Sequence, residues 1–128
     1  MSDALATVTT SNAPKPIGNY SQAVVCNNLV FISGQLPIDP ITNDFVSGDI
    51  EERTQQCLKN IKSIAEAAGT FIDKTVKINI YLADIETVKK VNNAYDKYFS
   101  EIAPARLLIQ VAKLPKNADV EIEAIVSM

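Results

Sequence analysis

At 128 residues, with 47% apolar and 21% charged residues, the chain has the make-up of one folded domain able to bury about two thirds of its unfolded surface. A net charge of −3, with lysines scattered along the chain, gives no sign of the basic stripe that electrostatic capture of nucleic acid needs. There is no histidine, which excludes histidine-dependent triads, Cys–His pairs and His-ligated metal sites within the chain.

Catalysis, if there is any, has to use carboxylates, tyrosine, lysine, cysteine, hydroxyls, backbone groups and arginine. Cys26 and Cys57 are too few and too far apart for a disulfide framework or a zinc site. No apolar run approaches the roughly twenty residues of a membrane span. The first fifteen residues lack arginine, carry Asp3 and show neither a signal-peptide core nor a basic presequence. The expectation is a cytoplasmic protein with no metal and no cofactor. A mitochondrial fraction is the other compartment considered.

In chain order, residues 4–9 read as a short first strand, and residues 12–19 as a loop punctuated by Pro14, Pro16 and Gly18. Residues 20–26 and 29–33 read as a hairpin around Asn27-Asn28, because asparagine tolerates the positive φ of tight turns. Gly34 ends that strand where a side chain would crowd whatever lies outside it. Residues 36–48 read as a polar, proline-interrupted connection with a turn near Asn43-Asp44.

Asp49 caps the first helix, and Glu52 three residues on completes a capping box. Ile50, Thr54, Cys57, Leu58, Ile61, Ile64, Ala65 and Ala68 fall on one helical stripe, and Gly69 stops the helix. Arg53 lies off the stripe and reads as a surface residue. Residues 75–82 alternate, with Val76, Ile78, Ile80 and Leu82 on one face and Lys77, Asn79 and Tyr81 on the other. Asp84 caps a second helix over residues 85–99, whose inward stripe is Val88, Val91, Asn92, Tyr95 and Phe99. Asn92 either is satisfied at the stripe's edge or braces the backbone of a site.

Pro104 fixes the entry to a strand that opens on Arg106 and runs to Val111. The chain has only two arginines, Arg53 and Arg106. At a strand mouth, Arg106 either stays solvated or offers its planar fork of N–H donors to a carboxylate. In the last strand Val120, Ile122, Ala124 and Val126 share one face, and Glu121, Glu123 and Ile125 the other. That second face is either wet or covered by another subunit. The element order is βββαβαββ, with no repeat and no second domain.

Taken together, Gly18-Asn19-Tyr20-Ser21-Gln22-Ala23, Ser33-Gly34-Gln35-Leu36-Pro37, Glu66-Ala67-Ala68-Gly69, Tyr81-Leu82-Ala83-Asp84, Pro104-Ala105-Arg106 and Val120-Glu121-Ile122-Glu123-Ala124-Ile125 resemble the RidA/YjgF/UK114 family of reactive-intermediate deaminases. The resemblance runs from Pro16 to Val126, in order and at compatible spacing. It implies a chorismate-mutase-like α+β fold, one sheet with two helices on one face, assembled as a homotrimer with clefts between subunits. The activity it implies is hydrolysis of 2-imino acids (2-iminobutanoate and 2-iminopropanoate) to 2-oxo acids and ammonia.

Carried over by position, the resemblance assigns Arg106 to the substrate carboxylate and Glu121 to the attacking water. Tyr20 would cover the substrate, Ser33 and Gly34 would line the cleft, and Asn92 would lie near it. Leu107 and Leu108 stand where relatives commonly have small, hydroxyl or thiol residues. Leu108 shares the strand parity of Arg106, so it should line the cleft and favour an apolar substrate tail. Asn19 stands where proline is usual, and the segment between Asn92 and Arg106 is short.

Strand arithmetic constrains this site. In a simple hairpin around residues 114–119, Glu121 would face Ala112 and leave Arg106 about six residues, roughly 20 Å, away. Either the strands pair differently or Glu121 meets Arg106 across a subunit boundary. Two other functions remain: a trimer that binds 2-oxo acids without turnover, and a ribonuclease or translation inhibitor as attributed to some relatives. The acidic balance disfavours the last, since nucleic-acid affinity rests on phosphate neutralisation.

Overall fold

A computed structural model describes residues 5–128. Residues 1–4, which hold Asp3 and the start of the predicted first strand, lie outside the described residues. The first three strands are Ala6–Val8 (β1), Ala23–Cys26 (β2) and Leu29–Gln35 (β3), each antiparallel to the next. Asn27 and Asn28 both take positive φ, 51° and 62°, which matches the twist of the hairpin they close.

β2 starts at Ala23 and not at the predicted Tyr20. Gln22 is the reason: its buried amide donates to the carbonyls of Thr10, Ala13 and Pro14, while its side-chain oxygen accepts from the Thr10 N–H. These four bonds tie the chain before β2 to the 10–14 loop and keep Tyr20 out of the sheet.

The connection expected over residues 36–48 contains a small hairpin of its own, Ile38–Asp39 (β4) with Asp44–Phe45 (β5). Leu36 and Ile38 are buried, and the Asn60 amide donates to both of their carbonyls at 3.2 and 3.0 Å. A buried asparagine on the next helix therefore anchors a segment that reads as polar loop.

That helix is Ile50–Ala67 (α1). Asp49 accepts from the Glu51 and Glu52 amides, and Glu52 returns a bond to the Asp49 N–H, so the predicted capping box is formed. Ala68 closes the helix and Gly69 follows at φ 96°. Arg53 is not the surface residue its position implies. Its Nε donates to Asp119 at 2.8 Å, its Nη1 to the Val46 carbonyl at 2.8 Å, and its guanidinium lies 4.8 Å from the Phe45 ring centre. One side chain thus ties β5, α1 and the entry to the last strand.

Thr75–Leu82 (β6), Val88–Asp96 (α2) and Ala105–Gln110 (β7) form a strand–helix–strand crossover whose two strands are parallel. The second helix is shorter than predicted: Ile85–Thr87 makes a single 3₁₀ turn, and the α-helix ends at Asp96. Val76 is exposed, against expectation, because a bulge between Thr75 and Lys77 breaks the alternation.

Val120–Ser127 (β8) runs between β3 and β6, antiparallel to both, giving the sheet order β1-β2-β3-β8-β6-β7. This mixed α+β arrangement places both helices on one face. Ile78, Ile80, Leu82, Val120, Ile122, Ala124 and Val126 point into that core with Cys57, Leu58, Ile61, Ile64 and Val91 from the helices. On the opposite face stand Phe31, Tyr81, Leu107, Ile109, Glu121, Glu123 and Ile125, with Phe31, Leu107 and Ile109 exposed. No helix among the described residues is long and apolar enough to cross a membrane.

Candidate functional site

The first cluster forms where β3 departs from regular pairing. Ile32 pairs with Ala124 and Gln35 with Ile122, so Ser33-Gly34 is a bulge of two residues set against the single residue Glu123. Ser33 is held from the other side, its N–H donating to the Gln22 carbonyl at 2.9 Å and its hydroxyl to the Ser21 carbonyl at 2.6 Å. Gly34 then leaves a notch which the Glu121 carboxylate fills. A Cβ on Gly34 would collide with a carboxylate oxygen of Glu121 and lie 2.9 Å from its Cδ.

Glu121 is half-buried, and its carboxyl is pushed above the usual carboxylate value, first by that burial and then by the neighbouring charge of Glu123. Tyr20 stands on the loop before β2, half exposed, with its hydroxyl oxygen accepting from the Ile17 N–H at 3.2 Å. Tyr20 and Gly34 line one shallow cavity together with Pro16, Ile17 and Leu36. Ser33, Gly34, Glu121 and Tyr20 are thus grouped at one end of the sheet.

The second cluster sits on the helix-covered face at the β7 edge. Arg106 is exposed, yet its guanidinium carbon lies 4.7 Å from the ring centre of Tyr95, a stacking that pre-orients the fork. Tyr95 is buried and packs on Phe99 at 4.8 Å, so the platform is rigid. Its hydroxyl is pushed up by burial, against the opposing effect of Arg106. Asn92, one turn earlier on α2, holds a buried side-chain oxygen with no hydrogen-bond partner among the described residues. Leu108 follows Arg106 on the same face and packs on the core.

The two clusters do not meet within one chain. Arg106 pairs with Ile78 and Glu121 with Tyr81, on β7 and β8 at either side of β6. That is three residues along and two strands across, roughly 14 Å between backbones, and on opposite faces of the sheet. The strands do pair differently from a hairpin, but the pairing separates the two side chains.

Sequence reasoning missed the support each cluster receives. Tyr95 counted only as core, although an aromatic one turn after Asn92 on the same stripe was the available signal. Asn79, Tyr81 and Glu123 form a second missed group. The Glu123 Oε2 accepts from the Tyr81 hydroxyl at 2.6 Å and the Asn79 amide at 3.1 Å. Among the described residues no group of three or more Asp, Glu, Cys or His is placed to hold a metal ion.

A six-stranded mixed sheet with two helices on one face, carrying a stacked guanidinium on one side and a notched carboxylate on the other, is an α+β scaffold with two separate half-sites. Known proteins share this fold. A family model described as Endoribonuclease L-PSP matches residues 10–128. A RutC family protein of Pyrococcus horikoshii is 51% identical over 116 residues, 91% of this chain and 92% of its own. A 2-iminobutanoate/2-iminopropanoate deaminase of Dermatophagoides farinae is 42% identical over 119 residues, 93% of each chain. A crystal structure from the conserved Rid protein family of Yersinia pestis superposes with a TM-score of 0.94 at 45% identity, over 98% of this chain and 100% of that one. The chain belongs to the RidA/YjgF/UK114 family.

Proposed function

We propose that this protein is an imine deaminase, hydrolysing 2-imino acids such as 2-iminobutanoate and 2-iminopropanoate to 2-oxo acids and ammonia, as a cytoplasmic homotrimer without a cofactor. The observation that carries this reading is the pair of half-sites on opposite faces of one sheet. Each is chemically incomplete, and each supplies what the other lacks. A head-to-tail contact between copies, of the kind that closes into a ring, would bring the β7 edge of one protomer against the Glu121 notch of the next. Exposed Phe31, Leu107 and Ile109 support burial of the uncovered face in that assembly.

In this reading Arg106 grips the substrate carboxylate with two parallel N–H bonds, Asn92 braces that end of the cleft, and Leu108 takes the apolar tail. Tyr20 covers the substrate from the neighbouring protomer, and the Ser33-Gly34 backbone lines the cleft. The imine carbon is already electrophilic, so no covalent nucleophile is needed. Glu121 takes a proton from water as its oxygen bonds to that carbon. The proton then passes to nitrogen, giving a carbinolamine. Glu121 next takes the proton of its new hydroxyl and returns it to the nitrogen as the C–N bond breaks, so that the carbonyl of the 2-oxo acid forms and ammonia leaves. Such acid–base help is worth typically 10²–10⁴-fold. The name of the matching family model points to RNA cleavage, but a net charge of −3 does not favour a polyanion.

The test couples the protein to a threonine dehydratase and follows semicarbazide trapping of the imine. Arg106→Lys should lose about 30–100-fold in kcat/KM, equivalent to roughly 2–3 kcal/mol, because an ammonium cannot reproduce a charge-assisted bidentate pair. A trimeric Arg106→Ala variant of undiminished activity overturns the reading. Leu108, which removes a polar side chain from the proposed cleft, favours a second reading, a non-catalytic module that captures 2-oxo acids. Saturable 2-oxobutanoate binding with no acceleration of imine hydrolysis would select it.

A further inference from the structure

Glu121 shares its face of β8 with Glu123, and the second carboxylate is the more firmly held. Asn79 stands directly opposite Glu123 on β6 and donates from its amide; Tyr81, opposite Glu121, reaches diagonally to the same Oε2. From β3, the Ser33-Gly34 bulge faces Glu123 without a titratable group. Lys77 on β6 lines the same hollow. Below the sheet, α1 contributes the buried Cys57 thiol, and Asp119 at the entry to β8 is paired with Arg53. β7 presents only the uncharged Ala105, Leu107 and Ile109 on this face. Glu123 is therefore a fixed carboxylate on the same strand and the same face as Glu121, two residues along, and the one whose charge acts on it.

We propose that Glu123 is a positioning residue for the reaction, a carboxylate clamped by Tyr81 and Asn79 whose charge sets the pH at which Glu121 becomes a base. The inference rests on the deaminase reading for its consequence, though not for the coupling itself. Two further observations support it. Glu123 is the second cause, after burial, of the raised Glu121 carboxyl. The Tyr81 hydroxyl, pushed up to about 12 chiefly by its bond to Glu123, remains a donor throughout the working pH range, so the clamp does not open as Glu121 titrates.

The sign follows from electrostatics. A negative neighbour disfavours ionisation of Glu121, so removing that charge lets Glu121 ionise at lower pH. Glu123→Gln keeps an acceptor for Tyr81, and Glu123→Thr is a second neutral variant suited to a strand. In the assembled protein, ¹³C-NMR titration of the Glu121 carboxyl should show its midpoint falling by about half a pH unit or more in both variants. The acid limb of kcat/KM should move down by the same amount. A Glu121 midpoint unmoved in either folded variant overturns the proposal. So does a loss of kcat with the limb in place, which is what a purely structural role predicts. A wild-type protein without deaminase activity whose Glu121 still titrates lower on losing Glu123 overturns the function proposed above and leaves the coupling standing.

Discussion

The carboxylate of Glu121 occupies the space that a side chain at Gly34 would take. Gly34 does not sit at positive φ, so its requirement is room and not conformation: a Cβ there would strike the carboxylate and lie 2.9 Å from Cδ and 3.2 Å from Cγ of Glu121. The bulge in β3 and the glycine within it together set where Glu121 can point.

Gly34→Ala should therefore misplace Glu121 without unfolding the protein, since the obstacle is a side chain that can swing and not backbone. A shift of about 1 Å in a catalytic group costs on the order of 100-fold. We expect kcat in the imine-trapping assay to fall by about that factor while the thermal midpoint changes little. Equal activity in the alanine variant would show that the Glu121 position is not used in turnover.

The raised Glu121 carboxyl also makes stability depend on pH. The folded protein holds this proton more tightly than the unfolded chain does. Its stabilising contribution is therefore full below the ordinary value of 4.5 and is lost as pH rises through the raised folded value. Glu121→Gln, which cannot ionise, should melt higher than the wild type at neutral pH. The difference should vanish on acidification below the ordinary value. Thermal melts across that range check the sign, and the same variant should lose 10²–10⁴-fold in turnover.

Arg53 joins three elements, and its side chain is only 17% exposed. Arg53→Ala removes a close ion pair with Asp119, a bond to the Val46 carbonyl and the stacking on Phe45. The expected loss is about 2 kcal/mol, read as a lower urea midpoint at unchanged slope and fixed protein concentration. Because Asp119 lies two residues before Glu121, Arg53→Lys should recover part of the stability and most of the activity.

Local features were legible from single residues. The capping box of Asp49 and Glu52 and the Asn27-Asn28 turn form as their side chains dictate, because their bonds span at most a few residues. The alternation of β8 also holds, since a strand central to a sheet must bury every second residue. Misreadings arose where a distant group overrides the local pattern. Gln22 pulls Tyr20 out of β2, Asn60 organises the β4–β5 hairpin, and Asp119 draws Arg53 inward across 66 residues of chain.

The amino-acid order by itself determined the family, the two helices, the strand-forming segments of the main sheet and the residue types from which a site could be built, because periodicity, caps and motif spacing are written in neighbouring positions. Only the tertiary structure decided that β8 enters between β3 and β6. That insertion places Arg106 and Glu121 on opposite faces of the sheet and Glu123 within reach of Tyr81 and Asn79. Pairing partners and register are set by which faces must be buried together, a property of the whole packed sheet that no stretch of sequence carries alone.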